Sequence, residues 1–103
     1  MELNEYQIEA HKTAAVFDGP DIRLLCYALS LGGEAGEISN LIGGHIFRLQ
    51  DLNKDQLKLD LGDALWYIAE LSTACGFSLD DIAQANIEKL RTKYPNGFTF
   101  INK

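Results

Sequence analysis

The sequence predicts an all-α protein whose helices form a four-helix, bundle-like domain. Apolar residues recur every three or four positions in four segments, and no segment alternates with the period of two that a strand requires. Breaks rich in glycine and proline separate the segments, and the short connections favour antiparallel neighbours. Because the 103 residues contain no repeat or linker, we expect one domain spanning residues 1–103.

The first two helices are predicted from their ends. The first begins at Asn4, because Gln7 follows at the spacing of a capping box, and the Asp-Gly-Pro segment at 18–20 breaks it. The second runs over about residues 21–42, and the Gly-Gly pair at 43–44 is expected to end or bend it.

The last two helices carry clearer end signals. The third begins after Asn53, which is followed three residues later by a glutamine, and Gly76 ends it. The fourth begins at Ser78, with Asp81 three residues further on, and Pro95 stops it.

Composition limits the classes of function. A formal net charge of −6 and a pI near 4.7 argue against a nucleic-acid partner, which requires a basic surface. No apolar run is long enough to cross a bilayer, and the acidic N-terminus does not resemble a secretory signal. Cys26 and Cys75 lie in apolar stretches without metal-binding spacing, so we expect buried free thiols in a reducing compartment, the cytoplasm.

Each predicted apolar face carries one polar residue. These residues, one per helix, are Gln7, Glu34, Asp60 and Asn86. A polar group on a core-facing stripe costs about 1–3 kcal/mol unless it finds a partner. Four such positions predict a shared polar site.

Two carboxylate pairs are the strongest functional signal. Glu34 and Glu37 are three residues apart, as are Asp60 and Asp63, and residues at this helical spacing lie on one side with Cβ atoms about 5–6 Å apart. On facing helices the two pairs would gather four oxygen ligands, the type that Mg²⁺ prefers and Mn²⁺ accepts. Solvated acidic faces are the ordinary alternative, but the apolar flanks of both pairs favour a metal site.

Two glycines beside the first pair remain ambiguous. Gly33 and Gly36 each cost about 1 kcal/mol relative to alanine inside a helix. Their missing side chains would let either a neighbouring helix or a bulky ligand approach the backbone.

Four sequence blocks resemble a known family. EYQIEA, GGEAGE, DLGDALWYIAEL and NIEKLRTKYPNGF, in this order over residues 5–98, are similar to the MazG-type all-α nucleoside triphosphate pyrophosphohydrolases. The resemblance implies Mg²⁺-dependent hydrolysis of a nucleoside triphosphate between its α- and β-phosphates, giving the monophosphate and pyrophosphate. The implied metal ligands are Glu34, Glu37, Asp60 and Asp63, and Asp60 departs from the family's usual glutamate. Glu34 and Glu37 are the candidates to accept the proton of the attacking water.

The resemblance also implies substrate contacts. Asn86 and Lys89 match a block that touches substrate phosphates or the water at the metal, and Tyr67 matches an aromatic position that lines the nucleotide pocket in some relatives. From its position one turn after Gln7, His11 could reach the base, and we predict both residues as substrate-binding. The lysine pair that the family often has at the end of the second helix is missing from the segment NLIGGHIFR.

Two other functions stay open at this point. Phosphoribosyl-ATP pyrophosphohydrolase shares the fold and the carboxylates, and a non-catalytic helical interaction module would keep the fold alone. Assembly is also expected: the second and third helices are apolar on more than one side, which favours a homodimer or a dimer of dimers.

Overall fold

The computed structural model describes residues 1–97, which form four helices and no strand. The helices are α1 (Leu3–His11), α2 (Pro20–Phe47), α3 (Lys54–Cys75) and α4 (Leu79–Lys93). The all-α, four-helix prediction is therefore confirmed. Phe98, the last residue of the sequence resemblance, lies outside the described residues, as does the end of the predicted domain.

The long helices α2 and α3 form the central antiparallel pair. Tyr27 near the start of α2 contacts Trp66 and Tyr67 on α3, whereas Glu34 further along α2 lies beside Asp60, nearer the start of α3. The helix α1 packs on α3, and α4 has its main contacts with α1. The arrangement is thus more open than a closed bundle, because α4 does not pack along the α2–α3 pair.

The predicted starts of α3 and α4 and the predicted end of α3 are confirmed. The Asn53 side chain accepts from the backbone N–H of Gln56 at 3.0 Å, and the Ser78 hydroxyl accepts from that of Asp81 at 3.1 Å. Gly76 ends α3 in the left-handed conformation with φ 78°, which favours glycine.

The predicted capping box of α1 is wrong, because its two side chains cap a different helix. The Asn4 side chain accepts from the backbone N–H of Asp80 at 3.1 Å, and Gln7 Oε1 accepts from that of Leu79 at 2.8 Å. Both donors are among the first backbone N–H groups of α4, which lack partners inside their own helix. The helix α1 begins instead at Leu3, without a side-chain cap.

Two other helix ends differ from the predictions. The helix α1 ends at His11, before the predicted break at 18–20. At this end the carbonyl of Ala10 accepts hydrogen bonds from the backbone N–H and the hydroxyl of Thr13 and from Trp66 Nε1. α2 continues through the Gly-Gly pair to Phe47, and its end is marked by a residue with φ 54° at position 49.

The core of this chain is small. Among the described residues, the buried apolar ones are Ala10, Tyr27, Ala69 and Leu79. Cys26 is half-buried but Cys75 is exposed, so the expectation of two buried thiols is wrong for Cys75. Among residues 1–97 no helix combines the length and the apolar character needed to cross a membrane.

Candidate functional site

The two carboxylate pairs come together where α2 faces α3. Carboxylate oxygens of Glu34, Glu37 and Asp60 all lie within 4.8 Å of one another. Asp60 is buried, Glu34 is half-buried and Glu37 is exposed, so the cluster extends from the helix interface to solvent. Asp63 lies outside this closest group, but its charge acts on Glu34, which puts it at the same site.

Electrostatics within the cluster are unfavourable without a cation. Burial raises the pKa of Glu34, and the negative charges of Glu37, Asp63 and Asp60 raise it further. Glu34 Oε2 is buried without a hydrogen-bond partner, and none of the ion pairs found in residues 1–97 involves these four carboxylates. Clustered oxygen donors with an unpartnered buried oxygen fit a hard divalent cation.

Gln56 is a member of the site that the sequence reasoning missed. Its Nε2 donates to Asp60 Oδ1 at 2.9 Å, one helical turn away, so that one oxygen of the buried carboxylate is held in place. The sequence interpretation had used this glutamine only as a helix-start signal. The spacing of four residues to Asp60 was the available indication.

The glycines of α2 leave open space beside the carboxylates. A Cβ built on Gly33 or Gly36 would meet nothing within 4 Å. Close helix packing among residues 1–97 therefore does not explain them, and within this part of the chain the helix surface next to Glu34 and Glu37 is accessible.

Aromatic side chains border the cluster on α3. A cavity of about 320 Å³ is lined by Thr13, Asp63, Trp66 and Tyr67, and another of about 610 Å³ has Asp63 and Trp66 in common with it. Tyr67 thus lies in the same cavity as Asp63, and its contact with a nucleotide stays a prediction. Trp66 is half-buried and donates to the Thr13 hydroxyl at 2.9 Å.

Gln7 has a structural role. Its Nε2 donates to the Thr73 hydroxyl at 3.0 Å and to the carbonyl of Phe77 at 2.8 Å, while its Oε1 caps α4. Gln7 thus uses both its amide donor and its amide acceptor where α1, α3 and α4 meet. We therefore do not assign it a role in substrate binding.

Asn86 and Lys89 are exposed on α4. The helix α4 has its main contacts with α1, and no ion pair found in residues 1–97 joins Lys89 to the carboxylate cluster. Of the predicted shared polar site, the structure brings Glu34 and Asp60 together, whereas Gln7 makes its hydrogen bonds at the helix junction. A place for Asn86 in that site stays a prediction.

A second charged cluster lies further along the α2–α3 pair, and the sequence reasoning did not find it. Glu70 is fully buried, and its Oε2 lies 3.1 Å from His11 Nδ1 and 3.6 Å from Arg23 Nη2. Tyr27 packs next to this cluster, and the negative charge of Glu70 adds to the burial that raises the Tyr27 pKa. The available signal was a glutamate inside the apolar run ALWYIAEL.

Comparison with known proteins agrees with the carboxylate site. A family model described as the MazG nucleotide pyrophosphohydrolase domain matches residues 24–98, which include both carboxylate pairs. The chain is also 36% identical, over 106 aligned residues, to the Gene 37 protein of Mycobacterium phage L5, covering 94% of this chain and 92% of that protein. No solved structure matches the chain. With the match extending over most of its length, the chain belongs to the MazG nucleotide pyrophosphohydrolase family.

Proposed function

We propose that this protein hydrolyses nucleoside triphosphates between the α- and β-phosphates, releasing the monophosphate and pyrophosphate. The observation that carries the proposal is the carboxylate cluster on α2 and α3, with its unpartnered buried Glu34 oxygen and the aromatic-lined cavity beside Asp63. Membership of a nucleotide pyrophosphohydrolase family supports the reaction class.

Mg²⁺, with Mn²⁺ as a substitute, is the proposed metal, and Glu34, Glu37, Asp60 and Asp63 are the residues that would hold it. A bound divalent ion neutralises phosphate charge and activates water for attack on phosphorus. This matters because the protein, with a formal net charge of −6, would otherwise repel an anionic triphosphate.

The chain's own side chains supply the remaining steps. Glu34 or Glu37 takes the proton of the attacking water, since both carboxylates lie at the cluster. The rings of Trp66 and Tyr67 border the cavity next to Asp63, where they exclude water and orient the nucleoside. Lys89 and Asn86 are proposed to contact the phosphates, which requires α4 to reach the site.

The direct test of this function is product analysis. Each deoxynucleoside triphosphate is incubated with the protein and Mg²⁺, and the products are separated by ion-exchange chromatography. We expect monophosphate and pyrophosphate in equal amounts. Diphosphate with orthophosphate would place the cleavage at another bond and contradict the proposal.

Gln56 is expected to position Asp60 for the metal. Removing its amide in Gln56→Ala should weaken Mn²⁺ binding about tenfold, because groups that orient a ligand typically affect metal affinity by about 10–100-fold. Isothermal titration calorimetry without nucleotide measures this directly. Gln84→Ala is the matched control, since Gln84 Nε2 makes the same kind of bond to Glu88 Oε1, at 3.1 Å on the exposed face of α4. Equal Mn²⁺ affinity in both variants would contradict the assignment.

A homodimer or a dimer of dimers remains our prediction for assembly. The Cα radius of gyration is 16.6 Å, whereas a compact chain of this length has about 13 Å. Large apolar side chains are exposed at helical spacing along α2 (Ile22, Leu25, Leu29) and along α3 (Leu61, Leu65, Ile68). Burial of these rows against a second copy would remove them from water.

Sedimentation velocity at micromolar concentration tests the assembly. We expect a species at least twice the 11.4 kDa chain mass, and we expect Leu29→Glu to shift it towards monomer. Leu49→Glu, at an exposed leucine outside both rows, is the control. A fully active monomer of the unchanged protein would contradict this prediction.

A further inference from the structure

Arg48, the residue that follows α2, folds its side chain back along the helix towards the carboxylate cluster. Its Nη2 donates to the backbone carbonyl of Asn40 at 3.2 Å and to the Asn40 side-chain oxygen at 3.3 Å, eight residues earlier in the chain. Asn40 comes three residues after Glu37, so the two lie on the same side of α2 and about 5 Å apart along its axis. The guanidinium is therefore held about one helical turn beyond the exposed member of the cluster.

Gly44 leaves the space that the Arg48 side chain occupies. A Cβ built on Gly44 would lie 2.9 Å from Arg48 Nη2 and 2.6 Å from Gln50 Oε1, closer than a Cβ normally approaches either atom. The neighbouring Gly43 differs, because a Cβ there would meet Phe47 Cδ2 at 4.0 Å, an ordinary contact distance. The path of Arg48 thus explains a glycine at position 44, inside a helix that glycine weakens.

The chain after α2 fixes Arg48 at the helix end. The backbone N–H groups of Arg48 and Gln50 both donate to the carbonyl of Gly44, at 3.2 and 3.1 Å. His45 Nδ1 donates to the carbonyl of Gln50 at 2.9 Å. Leu49 has φ 54°, which is uncommon for a residue other than glycine, and this conformation turns the chain so that Gln50 returns to the helix.

The positive charge of Arg48 is not neutralised within residues 1–97. The two guanidinium hydrogen bonds found there go to neutral oxygens of Asn40, and none of the ion pairs found there includes Arg48. Both bonds use Nη2, whereas a guanidinium has further N–H donors in a planar fork. The helix therefore positions the group but leaves its charge and donors for an anion, and phosphate oxygens match the geometry of the fork.

Arg48 and the aromatic rings of Trp66 and Tyr67 lie at opposite ends of the carboxylate cluster. Because α2 and α3 are antiparallel, the part of α2 after Glu37 runs beside the start of α3, whereas the two rings follow Asp63 towards the end of α3. A triphosphate with its nucleoside at the rings and its α-phosphate at the carboxylates would extend its β- and γ-phosphates towards Arg48.

We propose that Arg48 is a substrate-binding residue that contacts the β- and γ-phosphates of the triphosphate and the pyrophosphate that they become. It neutralises the end of the substrate that would otherwise meet only the acidic surface of α2, and Gly44 and Asn40 position it. The proposal rests on the proposed function, because it takes the ligand to be a nucleoside triphosphate.

Pyrophosphate binding tests the role of Arg48 without hydrolysis. Pyrophosphate is titrated into the protein in excess Mg²⁺ and followed by isothermal titration calorimetry. Arg48→Gln should weaken pyrophosphate binding about tenfold, because hydrogen bonds to charged groups are stronger than those between neutral groups. Arg91→Gln, which removes an exposed arginine from α4, is the matched control and should bind pyrophosphate as the unchanged protein does. Equal pyrophosphate affinity of Arg48→Gln and the unchanged protein would overturn the proposal.

Mn²⁺ binding without phosphate distinguishes substrate binding from a structural role of Arg48. Arg48→Gln should bind Mn²⁺ as tightly as the unchanged protein or more tightly, because it loses a positive charge near the carboxylates and none of the proposed ligands. Weaker Mn²⁺ binding by Arg48→Gln would mean that Arg48 supports the cluster itself, and would overturn its assignment to the phosphates.

Gly44→Ala tests the position of the guanidinium without removing its charge. The new methyl group displaces the ends of Arg48 and Gln50, whereas alanine is favoured over glycine inside a helix. We expect an unchanged or higher Tm together with pyrophosphate affinity lowered as in Arg48→Gln. Gly43→Ala is the control, with the same helix preference and undiminished pyrophosphate affinity. If Gly44→Ala binds pyrophosphate as tightly as Gly43→Ala, the positioning by Gly44 is wrong, and should Gly44→Ala not fold, the exposed Arg48 position still decides.

The outcomes separate this proposal from the proposed function. A protein whose pyrophosphate binding depends on Arg48, but which cleaves no triphosphate, would keep the phosphate site and reject the reaction. A protein that cleaves triphosphates, and whose Arg48→Gln variant binds pyrophosphate normally, would keep the reaction and reject the phosphate site.

Discussion

Replacing Glu37 by glutamine is expected to lower kcat/KM for triphosphate hydrolysis by on the order of a thousandfold, while the protein still folds. The amide keeps the size of the side chain but lacks the charge that holds a divalent cation, and a catalytic metal contributes several kcal/mol to transition-state stabilisation. Folding should survive because the Glu37 side chain is exposed and is not part of the buried core. Steady-state kinetics at saturating Mg²⁺ measures the loss.

The stability of the same variant separates a functional carboxylate from a structural one. In the metal-free protein the negative charge of Glu37 helps to raise the Glu34 pKa, so removing it relieves repulsion in the folded state. We expect an unchanged or higher Tm for Glu37→Gln in the presence of a chelator. Glu5→Gln, which makes the same change on an exposed face of α1, should keep normal activity. An unfolded Glu37→Gln protein would make Glu37 a structural residue.

Local signals in the sequence predicted the helices better than the way they pack. The caps at Asn53 and Ser78 and the left-handed Gly76 depend on neighbouring residues only, and the structure has them as predicted. Asn4 and Gln7 have the same spacing as a capping box, but their side chains bind the start of α4 about 70 residues away. A one-dimensional pattern cannot distinguish a local cap from a tertiary one, because the same donor and acceptor groups serve both.

The candidate site was predictable where helical spacing alone determines proximity. The pairs Glu34–Glu37 and Asp60–Asp63 each lie on one helix, and one apolar contact face brings the helices together. The Glu70 cluster was not predictable, because His11, Arg23 and Glu70 come from three helices and meet only through the packing of α1. The position of α4 relative to the carboxylates depends on contacts outside the α2–α3 helix pair. The roles of Asn86 and Lys89 therefore stay predictions.

Withdrawal of divalent metal is expected to remove essentially all hydrolysis. With excess chelator, no cation neutralises the phosphates or the cluster, and added Mg²⁺ should restore activity in full. Colorimetric pyrophosphate release measures this loss and recovery. Full activity in excess chelator would contradict the metal assignment.

The pH dependence follows from the raised Glu34 pKa in the metal-free protein. As pH rises above 4.5, the ordinary value, the unfolded chain loses this proton while the folded protein still holds it. The free energy of unfolding therefore decreases as the pH rises from the unfolded-state pKa of Glu34 to its raised folded-state pKa. Above the folded-state pKa, ionisation of Glu34 lowers the free energy of unfolding no further. The variant Glu34→Gln lacks the titrating group. The Tm of the metal-free variant minus the Tm of the metal-free unchanged protein should therefore grow from pH 4.5 upward.

Mg²⁺ should raise the Tm of the unchanged protein more at pH 8 than at pH 5, because it binds the ionised carboxylates. A Tm difference between the two metal-free proteins that shrinks with rising pH would show that the Glu34 carboxylate gains, rather than loses, stability when it ionises.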